Sequence, residues 1–386
     1  MTERRFMEHA ISLALKGTGH TNPNPLVGAV IVRDGKILAE GWHHEYGSLH
    51  AERDALESAR KNGIDVRGAE IYVTLEPCCH YGKQPPCTQA LIESGIIKVI
   101  IGSRDPNPLV NGRGKEILEQ AGIEVVEDFM KEECDAINPV FFHYIKAKNP
   151  YVILKYAVTA DGMTATSAGN SRWITGETAR TNVHLMRSRV MAVMTGIKTV
   201  KADDPLLNVR LEDKTLRQPV RVVLDKNLEI SCESKLVQTA CENVLYVFTS
   251  GQALREKSVH AEELKKYGVR IFEAGLTDEN HLELEDVLSK LGSEGIDSLL
   301  VESGGELNAA FLFNGKEKKC LADEIHVYVA PKIAGNDGKN IFSPVRGRGI
   351  SDLDESVMLS RPEVEVFGDD VLLKYKVSGG RQCLQE

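Results

Sequence analysis

With 386 residues the chain is longer than a single hydrophobic core usually serves, so two domains are expected. Its 42% apolar content is enough for two cores, and a net charge of −9 argues against a nucleic-acid coat or an anionic membrane surface as main partner. No apolar run reaches transmembrane length, and the charged start Met1-Thr2-Glu3-Arg4-Arg5 leads into an amphipathic segment rather than a signal-peptide core, which predicts a cytoplasmic protein.

Residues 6–15 carry apolar side chains at helical spacing, and Gly17 ends that helix. The turn-rich run Thr21-Asn22-Pro23-Asn24-Pro25-Leu26-Val27-Gly28 feeds a strand over 29–32. Asp34-Gly35 marks a hairpin, with a return strand over 37–42. Gly47 and Ser48 introduce a helix over 51–62, which places His50 and Glu52 at its entrance. A strand over 69–74 delivers Glu76 and Cys78. Pro86 suits a first helical position and Gly95 a C-terminal stop, so Cys87 falls in the first turn of a helix over 86–94. There, free N–H groups and the helix dipole favour a thiolate. A strand over 96–101, a helix over 115–121, a strand over 123–126 and a helix over 131–143 complete an alternating α/β unit. The polar run Lys146-Ala147-Lys148-Asn149-Pro150 reads as a linker, giving domains 1–147 and 148–386.

Beyond it the alternation resumes. Strands are expected over 151–158, 190–195, 220–224, 244–248, 269–272, 298–301 and 324–330. Helices are expected over 176–188, 256–267, 285–292 and 306–313, and the last ten residues read as loose. No G-x-G-x-x-G follows a strand, so the ordinary dinucleotide fingerprint is missing. Two glycine turns at strand-to-helix junctions, Thr195-Gly196-Ile197-Lys198-Thr199 and Glu302-Ser303-Gly304-Gly305-Glu306-Leu307, could take phosphate on helix N-terminal amides, although such turns often only reverse the chain.

Of the eight cysteines, Cys78, Cys79 and Cys87 cluster and the rest are scattered, a pattern of metal binding in a reducing compartment rather than of disulfides. Singly, His50 would read as a core histidine and each cysteine as a buried thiol. Together, His50, Cys78 and Cys87 supply three zinc ligands with a fourth position open, the arrangement of a catalytic zinc. Glu52 then stands ready as the proton carrier. Zinc deaminases carry H-x-E followed by P-C-x-x-C; here Cys78 directly follows Glu76-Pro77, but eight residues separate it from Cys87. A closed structural zinc on His50, Cys78 or Cys79, His80 and Cys87 is the competing arrangement, and Glu52, which it would not need, weighs against it. The chemistry that follows is hydrolysis of an amino-substituted heterocycle. Zinc lowers the pKa of its water from about 15.7 to about 7, and the carboxylate moves the protons.

The runs Asn22-Pro23-Asn24-Pro25-Leu26-Val27-Gly28, His50-Ala51-Glu52, Glu76 to Cys87 and Asp105-Pro106-Asn107-Pro108-Leu109-Val110 together resemble the bifunctional deaminase/reductase family of riboflavin biosynthesis. The likeness continues through Lys155-Tyr156-Ala157, Asp161-Gly162, Ser171-Arg172-Trp173-Ile174-Thr175, Lys201-Ala202-Asp203-Asp204-Pro205 and Ala330-Pro331-Lys332. It implies an α/β protein with an N-terminal cytidine-deaminase-like α/β/α domain followed by a dihydrofolate-reductase-like α/β domain. Its cofactors would be zinc and NADPH. The substrate would be a phosphorylated pyrimidine, deaminated at its 2-amino group by the first domain and reduced from ribosyl to ribityl by the second. No nucleic-acid or membrane partner is implied, and a homo-oligomer is expected.

By the same resemblance, Asn24 holds the ring, and His80 and Lys83 the phosphate, in the first site. Val158, Trp173, Thr199, Asp203, Gly304 and Gly305 line the cofactor, and Lys155, Ser171, Arg187, Leu207, Arg210 and Glu302 the reductase substrate. Arg187 and Arg210 are the expected phosphate partners. Lys155 and Asp203 are expected at the ends of separate strands, guiding proton delivery. Where the family has serine-leucine before Asp161-Gly162, this chain has Thr159-Ala160. Two rivals compete with the reading: a nucleic-acid editor, disfavoured by the charge, and a second domain that senses a ligand without chemistry.

Overall fold

The computed structural model describes residues 3–80, 85–107, 112–213, 215–315, 317–338, 341–347 and 349–378. The chain divides into two compact units, Met1–Lys148 and Asn149–Glu386.

In the first unit, α1 (Arg4–Ala14) precedes β1 (Gly28–Arg33), β2 (Lys36–Trp42), α2 (Ala51–Lys61), β3 (Glu70–Leu75), α3 (Cys87–Ser94), β4 (Lys98–Ser103), α4 (Arg113–Gln120), β5 (Glu124–Val126), α5 (Lys131–Ala136) and α6 (Pro139–Ala147). The sheet order is β2-β1-β3-β4-β5, with β1 antiparallel to both neighbours and β3, β4 and β5 parallel. Alternation along β1 builds the layers. Ala29 and Ile31 pack with Ala51, Ala55 and Leu91 on one face, while Val30 and Val32 pack with Phe6, Met7 and Ala10 on the other. A strand covered on both faces must be apolar throughout, as Ala29-Val30-Ile31-Val32 is. Gly41 lets α2 lie close against β2, since a Cβ there would stand 2.3 Å from the Ala55 amide nitrogen. The helix expected over 131–143 is instead two helices. Asn138 leaves helical geometry at φ −125°, and Pro139, with no N–H to give, starts α6.

The second unit contains β6 (Tyr151–Thr159), α7 (Glu177–Arg189), β7 (Ala192–Gly196), α8 (Ile197–Asp203), β8 (Val220–Leu224), α9 (Lys235–Gln238), β9 (Leu245–Thr249), α10 (Gly251–Glu256), α11 (Ser258–Lys266), β10 (Arg270–Glu273), α12 (Leu284–Ser293), β11 (Ser298–Glu302), α13 (Gly305–Leu312), β12 (Glu324–Ala330), β13 (Glu363–Phe367) and β14 (Asp370–Lys376). Nine strands lie in the order β10-β9-β8-β7-β11-β6-β12-β14-β13. They are parallel from β10 to β12, and β14 and β13 close the sheet antiparallel. One face packs Leu284, Val287, Leu288 and Leu291 of α12 and Phe311 of α13. The other packs Val183 and Met186 of α7 and Ala261 and Leu264 of α11. The helix expected over 256–267 begins earlier and breaks at Lys257, which leaves helical geometry between α10 and α11. The hairpin of β13 and β14 lies beyond every strand expected from sequence. Glu363-Val364-Glu365-Val366 alternates as an edge strand should, and Gly368, at φ 65°, makes its turn. Of the expected loose tail, residues 379–386 lie outside the described residues.

Candidate active sites

In the first unit His50 immediately precedes α2 and Cys87 opens α3, while Cys78 follows β3. These elements bring His50 Nδ1 to 3.4 Å from Cys78 Sγ and 3.5 Å from Cys87 Sγ, and the three donor atoms form one cluster. Tetrahedral zinc with ordinary bond lengths sets its nitrogen and sulfur ligands about 3.6 Å apart, so the donor set fits the ion in both chemistry and spacing. Arg53 of α2 fixes the approach to α3 by donating to the carbonyls of Pro85 and Pro86 at 3.1 and 3.0 Å. The thiols behave differently from the sequence expectation. It is Cys78 whose pKa is lowered, because the Cys87 thiol and the Cys87 N–H, at 3.3 Å, both donate to it. Cys87 is pushed well above its usual range by that same contact and by burial. One negative charge on two adjacent thiols settles on the sulfur that receives more hydrogen bonds.

Glu52 lies in the first turn of α2 and is 3% exposed. Burial pushes its carboxyl up to about 7, and the Cys78 charge adds to that; a divalent cation beside it would favour the ionised form.

Asn24 is held from behind. His43 Nδ1–H donates to the Leu49 carbonyl at 2.9 Å, which makes Nε2 an acceptor for the Asn24 amide at 3.1 Å. Burial lowers the His43 pKa and keeps the ring neutral. His43 also meets His50 edge-on, with centroids 5.5 Å apart. Sequence reasoning missed His43, although Trp42-His43-His44 at the end of β2 offered a signal. Asn138, where the expected helix breaks, secures the same loop through both polar atoms of its side chain to Leu26, at 2.8 and 2.9 Å. His80 has a buried Nδ1 with no hydrogen-bond partner among the described residues. Lys83 lies outside the described residues, as do Pro108, Leu109 and Val110 of the second motif run.

Glu76 is a clamp. Its buried carboxylate accepts from the N–H groups of Asp105, Gly112 and Gly114 at 3.4, 3.1 and 3.1 Å. Glu76→Ala would strand these donors and should lower the stability of the first unit by about 3 kcal/mol. Calorimetry checks this, and an unchanged transition would mean that water replaces the carboxylate.

In the second unit, Glu302 at the end of β11 is enclosed by cations. Arg187 of α7 forks onto its two oxygens at 2.6 and 3.1 Å, and Lys155 Nζ of the adjacent β6 lies 3.7 Å away. Burial alone would raise the Glu302 pKa, but the Arg187 and Lys155 charges outweigh it and hold it at about 2. Burial pushes Lys155 down, making its proton easier to release. The guanidinium of Arg187 is already committed to Glu302 and to the Asn208 carbonyl at 3.0 Å. Arg210, more exposed, is braced by Asn208 Oδ1 at 2.9 Å. Leu207, just before Asn208, is buried at φ 52°, a conformation unfavourable for its side chain.

His184, three residues before Arg187 and so on the same side of α7, joins this group unforeseen. Its Nδ1 accepts from the Arg210 N–H at 3.3 Å, and burial followed by the two arginine charges brings its pKa down to about 4. Asp203 departs from expectation. It ends helix α8 rather than a strand, is exposed, and lies 3.8 Å from Arg172; Glu302, not Asp203, is the buried partner of Lys155.

Both glycine turns sit where strands lead into helices: Gly196 between β7 and α8, and Gly304-Gly305 between β11 and α13, with β7 and β11 adjacent in the sheet. A Cβ on Gly304 would point into open space, and Thr195 Oγ1 is buried with no partner among the described residues. The open approach at Gly304 and the orphaned Thr195 hydroxyl, near the ends of two adjacent strands, suit a phosphate-bearing cofactor. Val158 is buried near the end of β6 and Thr199 half-buried on α8. Ser171 and Trp173 lie in the loop before α7. Trp173 is 65% exposed, which rules out a core role, and the Arg180 guanidinium sits 4.6 Å from its ring centroid. The Thr159 that departs from the family pattern keeps a hydroxyl in place. It accepts from the Met163 N–H at 3.0 Å and donates to Asp161, which in turn receives the N–H groups of Ala334 and Gly335.

Two family models match the chain, the cytidine and deoxycytidylate deaminase zinc-binding region over residues 1–103 and the RibD C-terminal domain over residues 150–373. The riboflavin biosynthesis protein RibD of Actinobacillus pleuropneumoniae is 48% identical, the match covering 98% of this chain and 96% of the relative. That of Aquifex aeolicus is 40% identical over 97% of this chain and 98% of its own. Among solved structures, the diaminohydroxyphosphoribosylaminopyrimidine deaminase/5-amino-6-(5-phosphoribosylamino)uracil reductase of Thermotoga maritima is 41% identical with a TM-score of 0.81, covering 97% of this chain and 98% of that one. RibD of Acinetobacter baumannii is 35% identical with a TM-score of 0.83 at the same coverage.

Proposed function

This chain belongs to the RibD family of bifunctional riboflavin biosynthesis proteins, and we infer from its two sites how the deaminase and reductase labours are divided. The first unit hydrolyses the 2-amino group of 2,5-diamino-6-ribosylamino-4(3H)-pyrimidinone 5′-phosphate. The second reduces the ribosyl group to ribityl with NADPH, giving 5-amino-6-ribitylamino-uracil 5′-phosphate. The observation that carries this reading is the His50, Cys78 and Cys87 cluster, at zinc-ligand spacing beside a buried Glu52.

His50, Cys78 and Cys87 hold the zinc, which when bound supplies the Lewis acidity that makes hydroxide available near neutral pH. Glu52 takes the proton of the attacking water, passes it to the ring nitrogen, and then delivers a proton to the departing ammonia. Asn24, fixed by His43, orients the ring. His80 and Lys83 bind the phosphate. In the second unit the Gly304-Gly305 turn, Val158, Trp173, Thr199 and Asp203 hold NADPH, which supplies the reducing electrons. Arg210 meets the substrate phosphate, with Ser171 and Leu207 lining the pocket. Lys155, braced by Glu302 and Arg187, releases a proton to the sugar oxygen as C1′ is reduced.

The cytoplasm is the proposed compartment, supported by the thiols of Cys134, Cys232 and Cys241, none of them in a disulfide. No helix among them is long and apolar enough to cross a membrane. A homo-oligomer is supported by Val364 and Val366, 61% and 69% exposed on edge strand β13.

Cys87→Ser tests the first site. Elemental analysis should show one zinc fewer per chain, with ammonia release abolished and reduction of supplied deaminated intermediate retained. Full zinc retention would move the ligand role to Cys79 or His80.

A further inference from the structure

A second group of metal-ligating side chains stands in the reductase unit, and none of its members is among the residues assigned above. Cys232, in the loop after β8, meets His260 and Glu263 of α11, with one donor atom from each drawn into a common cluster. Residues three apart on a helix share a face, so His260 and Glu263 present their donors together. The tautomer of His260 is fixed by geometry. Its Nε2 lies 2.9 Å from the Ile230 carbonyl, which can only accept, so Nε2 carries the proton and Nδ1 offers its lone pair. A histidine whose far nitrogen donates to a backbone carbonyl is the usual form of a metal-bound imidazole.

The loop that carries Cys232 is held in shape. Asp225 accepts from the N–H groups of Glu229 and Ile230 at 2.6 and 2.8 Å, and Ile230 is buried. His260 Nδ1 stands 4.0 Å from Glu263 Oε2. Nitrogen and oxygen ligands on tetrahedral zinc are separated by about 3.4 Å, a gap that rotation of the exposed Glu263 side chain closes. One thiolate, one imidazole and one carboxylate form a donor set of intermediate softness that favours zinc over magnesium or calcium.

We propose that Cys232, His260 and Glu263 form a second zinc site that clips the loop after β8 to α11, with water in the fourth position. None of the three is among the residues assigned to the deaminase or reductase site, so the metal here takes no part in either reaction. Its effect falls on the loop and helix it joins.

The full chain, saturated with zinc and desalted, should retain one more zinc per chain than Cys232→Ala or His260→Ala treated identically. Both variants should keep parental ammonia release and NADPH consumption, which controls for folding. Cobalt added to the parent should give a thiolate-to-cobalt band that is weaker by one site's share in Cys232→Ala. Equal zinc content in the parent and either variant, or an equal cobalt band in Cys232→Ala, overturns the site.

Discussion

Glu52→Gln is expected to keep its zinc and to lose ammonia release by about 10²–10⁴-fold, the usual contribution of a positioned acid–base group. Glutamine preserves the size of the side chain and can still hydrogen-bond, but it cannot carry a proton from water to the ring and the leaving amine. The fold should tolerate it. Without a cation, burial already holds the Glu52 carboxyl up to about 7, so a neutral amide in the same place costs little. Metal content separates this variant from Cys87→Ser, in which activity is lost because the ion is lost. Reduction of supplied deaminated intermediate should continue, since Glu52 belongs to the first unit. Ammonia release near the parental rate with zinc bound would make Glu52 a structural residue.

The second large effect is expected in the reductase unit. Lys155→Ala should stop NADPH consumption while ammonia release continues. Glu302→Gln should do the same and also destabilise the unit, because it leaves Arg187 and Lys155 as buried cations without their counter-charge. Breaking one partner of a buried ion group costs about 3–5 kcal/mol. The pH dependence has a definite sign. Glu302 is held at about 2, below its ordinary 4.5. Its stabilisation is therefore complete above pH 4.5 and is lost as pH falls from there towards 2. Glu302→Gln should flatten that acid limb in a denaturation series. A Glu302→Gln protein with parental stability and an unchanged acid limb would show that the ion group is not what holds this end of the sheet.

The clustering of His50, Cys78 and Cys87 beside Glu52 was legible in the sequence because metal chemistry restricts both the residue types and their local setting. A histidine and a glutamate at one helix entrance, and a cysteine in the first turn of another, can be read from flanking prolines and glycines alone. The alternating α/β pattern was legible for a similar reason: strands covered on both faces must be apolar throughout, as 29–32 and 99–101 are.

What only the tertiary structure decided are the partnerships between distant residues. That Glu302 rather than Asp203 faces Lys155 depends on β11 and β6 lying side by side, and no spacing along the chain encodes that register. Arg187 and Arg210 look alike in sequence. They differ because one is enclosed with a carboxylate and the other is not, which is a matter of burial. His43 acquires its place behind Asn24 from a backbone carbonyl, and backbone carbonyls carry no sequence signal. Local chemistry is written in residue types and short spacings, whereas electrostatic partnership and tautomer are set by the packing of elements remote in the chain.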